Sequence, residues 1–242
     1  MNEVVAAIAE GRIEAFLQPI VPIGTAPPGL FEALARMRDT AGNVLEPSAF
    51  LGDAERTRTV TLVDLCMMDL VARSGPYPPG TRIFINLSDD SLHSQATLLM
   101  LEERIRRRRW LGDVVGFELR KETLPKDLDP VSKQLNRLSD LGCAFALDDF
   151  GTECARREQL ELPVEYIKLA GQVVRDVDTS PEHLSLIRTT TALSRDAGKS
   201  IVAEWVDSEA VLRRLREEGV DYAQGLLLGK PSPISNAIGK RP

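Results

Sequence analysis

The sequence predicts an α/β fold, specifically a TIM-type eight-stranded (βα) barrel with one antiparallel strand near the N-terminus. Eight short β-rich segments recur along the 242 residues, and segments with helical spacing of apolar residues separate most of them. This alternation is typical of βα units around a parallel sheet, and about 250 residues is the usual size of such a barrel. We therefore expect one domain that spans residues 1–242.

The elements follow one another without a linker or an internal repeat. Only residues 22–29 separate the first two strands, too few for a parallel crossover, so these strands should form an antiparallel hairpin. Ser180 before Pro181 predicts a helix start, whereas Gly142, Gly198 and Gly219 predict helix ends. The polar segment 232–242 receives no assignment. The predicted strands are 16–21, 30–34, 82–87, 114–119, 144–148, 165–169, 200–204 and 221–224, and the predicted helices are 47–73, 92–109, 130–141, 181–197 and 208–218.

Composition excludes several classes of protein. Thirty basic and 36 acidic residues give a net charge of -6, so we expect no DNA binding. Three cysteines without CxxC spacing predict neither a disulfide framework nor a zinc knuckle, and they favour the reducing cytoplasm. No apolar run approaches the roughly 20 residues that span a bilayer, so we expect no membrane segment in this chain.

Polar side chains lie at or near the ends of most predicted strands, where an α/β barrel carries its reactive groups. A single carboxylate there is usually a helix cap or a solvated residue. Several carboxylates at one mouth would repel one another unless a cation neutralised them, and their hard oxygens suit Mg²⁺, Mn²⁺ or Ca²⁺ rather than zinc. A lysine among them fits a phosphate or a metal-bound hydroxide, or a plain salt bridge to Asp148. These residues are Glu32, Asn86, Glu118, Asp148, Asp149, Lys168, Glu204 and Gln224.

At these positions the sequence resembles the EAL-domain family, which comprises cyclic di-GMP phosphodiesterases and their degenerate relatives. The resemblance covers nearly the whole chain, and its six motifs occur in family order. It implies a barrel with one antiparallel strand and a metal-dependent hydrolysis of cyclic di-GMP to the linear dinucleotide. The motifs are QPI at 18–20, FEAL at 31–34, INLS at 85–88, ALDDFGT at 146–152, VAE at 202–204 and YAQG at 222–225.

The resemblance also implies a role for each site residue. Two cations that clamp the attacking and leaving oxygens are a common solution for phosphodiester cleavage. The implied cofactor is Mg²⁺ or Mn²⁺, with Ca²⁺ binding but inhibitory. One metal would be bound by Glu32, Asn86, Glu118 and Asp148, and a second would be served by Asp149. Lys168 and Glu204 would orient and deprotonate the attacking water, and the nucleotide would contact Gln18, Leu34, Arg36 and Gln224.

Four positions depart from the family pattern. Lys121 replaces the glutamate that anchors an active-site loop, and Glu153 replaces a glycine of that loop. Ala170 replaces an aspartate on the second-metal side, and Trp205 replaces the glycine after Glu204. Glycine permits a backbone conformation that Glu153 adopts only at a cost. We expect these changes to weaken turnover more than ligand binding, although a Lys121 to Glu153 salt bridge that holds the loop is an alternative.

Three functions are compatible with the sequence. The chain could be a working cyclic di-GMP phosphodiesterase, a receptor that binds the nucleotide without cleaving it, or a protein-interaction module that binds no nucleotide. Retention of so many converging polar residues argues against the module. We favour a receptor or a very weak enzyme, which would act through a protein partner or a homodimer.

Overall fold

The computed structural model describes residues 2–23, 29–151 and 157–238. Helices surround a sheet, and short 3₁₀ turns occur at Pro47–Ala49, Lys121–Thr123 and Arg157–Glu161. The strands are β1 (Ile13–Pro22), β2 (Leu30–Arg38), β3 (Val44–Leu45), β4 (Arg82–Asn86), β5 (Val115–Arg120), β6 (Ala144–Phe150), β7 (Tyr166–Leu169), β8 (Ser200–Ala203), β9 (Tyr222–Ala223) and β10 (Ser232–Pro233). The helices are α1 (Glu3–Ala9), α2 (Leu51–Arg56), α3 (Val60–Ser74), α4 (Asp89–Leu92), α5 (Gln95–Arg107), α6 (Trp110–Val114), α7 (Asp129–Ser139), α8 (Gly171–Arg175), α9 (Pro181–Asp196), α10 (Glu209–Glu217) and α11 (Ile234–Ala237).

Eight of the strands close into a barrel, as the sequence predicts. The ring runs from β1 through β2, β4, β5, β6, β7, β8 and β9 back to β1, while β3 and β10 extend it at β2 and β1. Strand β1 is antiparallel to both of its barrel neighbours, and the other barrel pairs are parallel. Gln18 of β1 lies opposite Glu32 of β2, which confirms the predicted hairpin.

Two apolar layers hold the barrel together. Inside it, Phe84, Ala146 and Val202 belong to a small buried cluster, and Phe84 meets the ring of Tyr166 edge to face. Between the strands and the helices lies a much larger cluster that includes Phe117 and Met68. The interior cluster fills the barrel below its mouth, so polar side chains above it rest on an apolar floor.

Several predicted helix ends are confirmed. Ser180 caps α9 by accepting a hydrogen bond from the backbone N–H of His183. Gly142, Gly198 and Gly219 all have positive φ, of 98°, 70° and 75°, just after α7, α9 and α10. A residue in this left-handed conformation ends a helix, and glycine adopts it without strain.

Other predicted boundaries are wrong. The predicted helix 47–73 is a 3₁₀ turn followed by α2 and α3, because Arg58 between them has a left-handed φ of 54°. The predicted helix 92–109 corresponds to α5, which begins only at Gln95 because Ser94 caps it, and which ends at Arg107. The sequence analysis missed α1 and α8, and it left 232–242 unassigned, where β10 and α11 form. Tertiary pairing with β1 explains β10, whose own sequence carries little strand propensity.

No helix in the described ranges is both long and apolar enough to cross a lipid bilayer.

Candidate functional site

A ring of polar side chains lies at the barrel mouth, directly above the apolar interior. Side chains two residues apart on a strand face the same way, so a polar residue two positions after an inward apolar residue faces the barrel axis as well. Phe84 is followed in this way by Asn86, and Val202 by Glu204. Gly116, below Glu118, leaves room for the Phe84 ring, because a Cβ there would lie 2.5 Å from two ring carbons. The ring comprises Gln18, Glu32, Asn86, Glu118, Asp148, Lys168, Glu204 and Gln224.

Lys168 of β7 is the centre of this ring. Its side chain is only 1% exposed, and its Nζ approaches four carboxylates that come from different parts of the barrel. The nearest are Glu118 Oε2 and Glu204 Oε1, both at 2.7 Å. Glu32 Oε2 follows at 3.3 Å and Asp148 Oδ1 at 3.9 Å. A plain Lys168 to Asp148 salt bridge therefore does not describe the site, because Asp148 is the most distant of the four partners.

Neutral amides complete the surroundings of Glu32. Asn86 Nδ2 donates to Glu32 Oε1 at 3.0 Å, and Gln224 Nε2 donates to Glu32 Oε2 at 2.7 Å. The same Gln224 nitrogen approaches Gln18 Oε1 at 3.2 Å, and Gln18 Nε2 donates to the carbonyl of Gly229. Glu32 thus receives hydrogen bonds from β4 and from the end of β9 as well as from Lys168.

Burial and unequal partners push the pKa values of these carboxyl groups apart. Desolvation raises the pKa of the Glu204 carboxyl to about 8 even though Lys168 opposes the rise. Desolvation, followed by repulsion from Glu32, raises the pKa of Glu118 well above its usual range, and desolvation also raises the pKa of Asp148. Glu32 is the exception: desolvation acts upward, but Lys168, Gln224 and Asn86 together bring its pKa below the usual value.

Burial alone would lower the pKa of the Lys168 ammonium, but the neighbouring carboxylates raise it well above its ordinary value, Glu118 and Glu204 most strongly. Lys168 therefore stays charged at any physiological pH. One ammonium cannot balance four buried carboxylates, so the pKa values of Glu118 and Glu204 stay raised despite their short contacts to it.

The donor set fits a hard divalent cation. Glu118 Oε1 is buried and has no hydrogen-bond partner, and a buried unpaired oxygen of this kind is a ready ligand. Within the described residues, however, no three acidic, histidine or cysteine side chains have the arrangement of a formed metal site. The carboxylates converge on Lys168 Nζ instead. Each of Glu32, Glu118 and Asp148 meets the ammonium through one oxygen, and the second oxygen of Glu118 is the unpaired one.

Asp149 lies apart from this network. Its side chain is exposed, and its backbone N–H donates to Asp148 Oδ1 at 2.8 Å. Its φ of 61° is in the left-handed region, and the pairing of β6 with β7 shifts register between Leu147 and Phe150. Successive side chains of a strand point to opposite sides, so Asp149 does not share the direction of Asp148 toward Lys168. The structure thus leaves the predicted second-metal residue outside the Lys168 cluster.

A cavity of about 490 Å³ opens beside the polar ring. It is lined by Gln18, Glu32, Glu204 and Gln224 of the polar ring, and also by Leu34. Three of the four predicted nucleotide contacts therefore share one cavity. Its remaining wall is formed by Arg175, Trp205, Asp207, Gly225, Leu226 and Pro231.

Arg36, the fourth predicted nucleotide contact, is engaged elsewhere. It follows Glu32 and Leu34 on the same face of β2, since it is four and two residues further along the strand. Its guanidinium pairs with Glu46 Oε2 at 2.9 Å and lies 5.4 Å from the centroid of the Phe16 ring. An anion that approached Arg36 would meet a cation already paired with an exposed carboxylate.

Comparison with known proteins decides the family. The EAL domain family matches residues 1–231 of the chain. This protein belongs to the EAL domain family.

Named relatives and solved structures agree with this assignment. The chain is 30% identical over 241 residues to the cyclic di-GMP phosphodiesterase PdeB of Shewanella oneidensis, with 95% of the chain but only 28% of PdeB covered. The chain therefore spans little more than a quarter of that relative's length. It shares the fold of the PaMucR phosphodiesterase in complex with c-di-GMP, with a TM-score of 0.86, 24% identity and 96% coverage of both chains. The EAL domain of FimX from Pseudomonas aeruginosa, bound to c-di-GMP, has the same fold with a TM-score of 0.83 and 23% identity. The alignment covers 95% of this chain and 94% of the FimX domain.

Two of the departures from the EAL pattern meet at one residue. The buried Lys121 has its Nζ 5.8 Å from the centroid of the Phe150 ring and 3.7 Å from Glu122 Oε1. Ala170, also buried, donates its backbone N–H to the carbonyl of Phe150 at 2.9 Å. Both positions therefore contact the residue that follows Asp148 and Asp149. Glu153 lies outside the described residues, so its pairing with Lys121 stays a prediction.

Trp205, the remaining departure, has a left-handed φ of 55° and an exposed ring at the cavity wall. Sequence analysis missed two of its neighbours, Gly171 and Arg175, because α8 is too short to show helical periodicity. It also missed Glu46, since a lone acidic residue before a 3₁₀ turn carries no signal of its pairing with Arg36.

Proposed function

We propose that this chain binds cyclic di-GMP at the barrel mouth and that its hydrolysis of the nucleotide is weak or absent. The observation that carries this proposal is the convergence of Glu32, Glu118, Asp148 and Glu204 on Lys168 beside a cavity lined by three of the four predicted nucleotide contacts. Membership of the EAL family supports it, as do a relative named for acting on this nucleotide and solved structures of similar fold that hold it.

We propose that a divalent cation, Mg²⁺ or Mn²⁺, is held by Glu32, Asn86, Glu118 and Asp148. Their oxygen donors suit such ions, and the unpaired Glu118 Oε1 supports their use as ligands. When bound, the cation would polarise a phosphate oxygen and supply positive charge that four carboxylates need. The structure gives no corresponding support to a second cation at Asp149, whose side chain is exposed.

Glu204 and Lys168 can handle the attacking water in complementary ways. A carboxyl with a pKa of about 8 accepts a proton efficiently near neutral pH once it is ionised, so Glu204 is the candidate general base. Lys168 stays protonated, so it cannot act as a base and instead donates hydrogen bonds that orient Glu204 and the water. Gln18, Leu34 and Gln224 would contact the nucleotide from the cavity wall, and Arg36 would contact a phosphate after leaving Glu46.

Weak turnover follows from the environment of Phe150. The buried cation of Lys121 and the apolar Ala170 both lie against this residue, and they occupy two positions where the family pattern has carboxylates. The second candidate function is an active phosphodiesterase. The intact contact of 2.7 Å between Lys168 and Glu204 favours it, because the two residues proposed to handle the water are in place.

Calorimetric titration with cyclic di-GMP tests the proposal, first in Ca²⁺ and then in Mg²⁺, followed by chromatography for the linear product. Binding with turnover below the roughly 1 s⁻¹ at the low end of typical enzymes supports the receptor or weak enzyme. Rapid Mg²⁺-dependent cleavage supports the active phosphodiesterase. Absence of binding contradicts both and leaves the protein-interaction module.

A matched pair of variants shows whether the barrel mouth is the site. Glu118→Gln keeps the shape of a buried side chain but removes its charge, so metal-dependent binding should be lost. Glu165→Gln, an exposed change at the opposite end of β7, should leave binding intact. One domain over residues 1–242, a cytoplasmic location and a protein partner or homodimer stay predictions.

A further inference from the structure

Trp205 is a strained aromatic residue that lies outside the hydrophobic core. It is 56% exposed, and its φ of 55° costs free energy for any residue other than glycine. Backbone hydrogen bonds hold the strand ends around it, since Val206 N–H donates to the carbonyl of Gln224 at 3.0 Å. The residue immediately before it is Glu204, which contacts Lys168. A strained and exposed aromatic residue next to the polar ring points to a functional use.

Two residues of α8 hold the Trp205 ring in place. Gly171 begins this helix, and a Cβ there would overlap the ring carbons Cγ and Cδ2, so only glycine leaves room for the ring. One turn later, the guanidinium carbon of Arg175 lies 4.8 Å from the ring centroid, in cation-π contact. The ring is therefore fixed by its neighbours while more than half of the residue's surface stays open.

The cavity beside Trp205 is lined by two chemically different groups of residues. Gln18, Glu32 and Gln224 are hydrogen-bonding side chains. Leu34, Pro231 and the exposed Leu226 join Trp205 in an apolar group. Arg175 is the cation of this lining, beside the carboxylates of Glu204 and Asp207. A ligand with a flat ring and polar edges matches the two groups.

We propose that Trp205 is a stacking platform for a guanine base of the bound nucleotide and that Arg175 is a positioning residue for its ring. This inference rests on the proposed function, because it assigns one part of the ligand to one wall of the same cavity. Stacking on an aromatic face needs no particular hydrogen-bond pattern, whereas the amides of Gln18 and Gln224 can recognise polar edges.

Fluorescence provides the first test, because the chain has only two tryptophans. Trp110 packs against Tyr77, with ring centroids 6.1 Å apart, and lines no part of this cavity. In a Trp110→Phe variant, emission reports Trp205 alone. We expect GMP to quench this emission and ribose 5-phosphate to leave it unchanged, since only GMP carries a base. Equal effects of the two compounds would overturn the proposal.

Calorimetry with cyclic di-GMP provides the second test. Trp205→Phe keeps an aromatic face and should bind within about threefold of the wild type. Trp205→Leu keeps apolar bulk without the face and should bind about tenfold more weakly, a difference of about 1.4 kcal/mol. Trp205→Gly should weaken binding at least as much, and it should fold well because glycine relieves the strained φ.

The outcomes separate this inference from the proposed function. Wild-type affinity in Trp205→Leu, or tighter binding by Trp205→Gly, would show that the ring does not stack and would overturn the inference alone. Absence of cyclic di-GMP binding by the wild type would overturn the proposed function as well. Thermal unfolding of each variant confirms that the fold is intact before affinities are compared.

Discussion

The ammonium nitrogen of Lys168 lies 2.7 Å from Glu118 Oε2, and both side chains are 1% exposed. An ion pair at this depth is costly to form, because both charges leave water, and costly to break, because one charge would remain unpaired. Glu32, Asp148 and Glu204 share the same ammonium, so the mouth of the barrel carries more negative than positive charge. Lys168 therefore supplies part of the positive charge that these four carboxylates need.

The Lys168→Met variant should be less stable than the wild type by about 3 to 5 kcal/mol in the absence of divalent cations, as expected when one partner of a buried ion pair is removed. Chemical denaturation in EDTA measures this loss. Saturating Mn²⁺ should restore more stability to Lys168→Met than it adds to the wild type, because the uncompensated carboxylates bind the cation.

Lys199→Met is the matched control. Lys199 is partly buried and donates to the carbonyls of Leu162 and Val164, so its removal breaks hydrogen bonds but no ion pair with the barrel mouth. The Lys199→Met change should lower the free energy of unfolding by about 1 kcal/mol, and Mn²⁺ should not alter this loss. Equal losses in the two variants would contradict the assigned role of Lys168.

The stability of the metal-free protein should fall as pH rises from about 4.5 to about 8. Burial raises the pKa of Glu204 to about 8 in the folded state, so over this interval the unfolded chain binds fewer protons at this position than the folded one. The raised pKa values of Glu118 and Asp148 act in the same direction, whereas the lowered pKa of Glu32 acts in the opposite one.

Urea denaturation of the wild type and of Glu204→Gln, in EDTA at about pH 5 and about pH 8, measures the contribution of Glu204. Glutamine cannot ionise, so the variant should lose less stability over this interval. If both proteins show the same pH dependence, Glu204 does not hold its proton in the folded state.

Arg36→Ala should weaken cyclic di-GMP binding at least tenfold, even without metal, because a guanidinium meets phosphate oxygens through charge-assisted hydrogen bonds of about 1.5 to 3 kcal/mol. Arg38→Ala is the control on the same strand. Arg38 pairs with Glu14 and lies further along β2 from Glu32 than Arg36 does. Its loss should therefore leave the affinity for cyclic di-GMP unchanged.

The pairing of Arg36 with Glu46 adds a sharper expectation. A phosphate must compete with the Glu46 carboxylate for the guanidinium, so Glu46→Gln should tighten binding by a few-fold. Calorimetry in EDTA measures all three variants. Unchanged affinity in Arg36→Ala would remove this residue from the nucleotide site.

Much of the fold could be predicted because its signals are local. Alternating strand and helix patterns predict the barrel, and the short link between residues 21 and 30 predicts the antiparallel hairpin. The polar ring could also be predicted from the sequence, since Asn86 and Glu204 each follow an inward apolar residue by two positions. These features depend only on the periodicity of strands and on the usual location of barrel sites.

The remainder depends on contacts between distant segments. No local pattern connects Arg36 with Glu46 or Trp205 with Arg175, although the members of each pair meet in the structure. Asp149 follows Asp148 in a motif that suggests a shared role, but its side chain is exposed and it is its backbone N–H that donates to Asp148. Segment 232–238 has little propensity of its own and folds because β1 offers it a free edge.

Lys121 and Ala170 supply the last prediction. Both contact Phe150, so a change at either one acts on the segment that follows Asp148. The double variant Lys121→Glu with Ala170→Asp should increase Mg²⁺-dependent hydrolysis of cyclic di-GMP at least tenfold, equivalent to about 1.4 kcal/mol of activation free energy. The single variants should gain less, because the two positions are coupled through a shared neighbour.

Lys121→Gln with Ala170→Asn is the matched control for that double variant. It removes the buried ammonium and adds similar volume but supplies no carboxylate, so it should not reproduce the gain in hydrolysis. Two buried carboxylates should also make the metal-free double variant less stable than this control, and Mg²⁺ should reduce the difference. Chromatographic detection of linear product, with calorimetric affinities measured in parallel, distinguishes faster chemistry from tighter binding. Brisk cleavage by the unmodified chain would show that Lys121 and Ala170 do not suppress turnover, and the active phosphodiesterase would then replace the receptor.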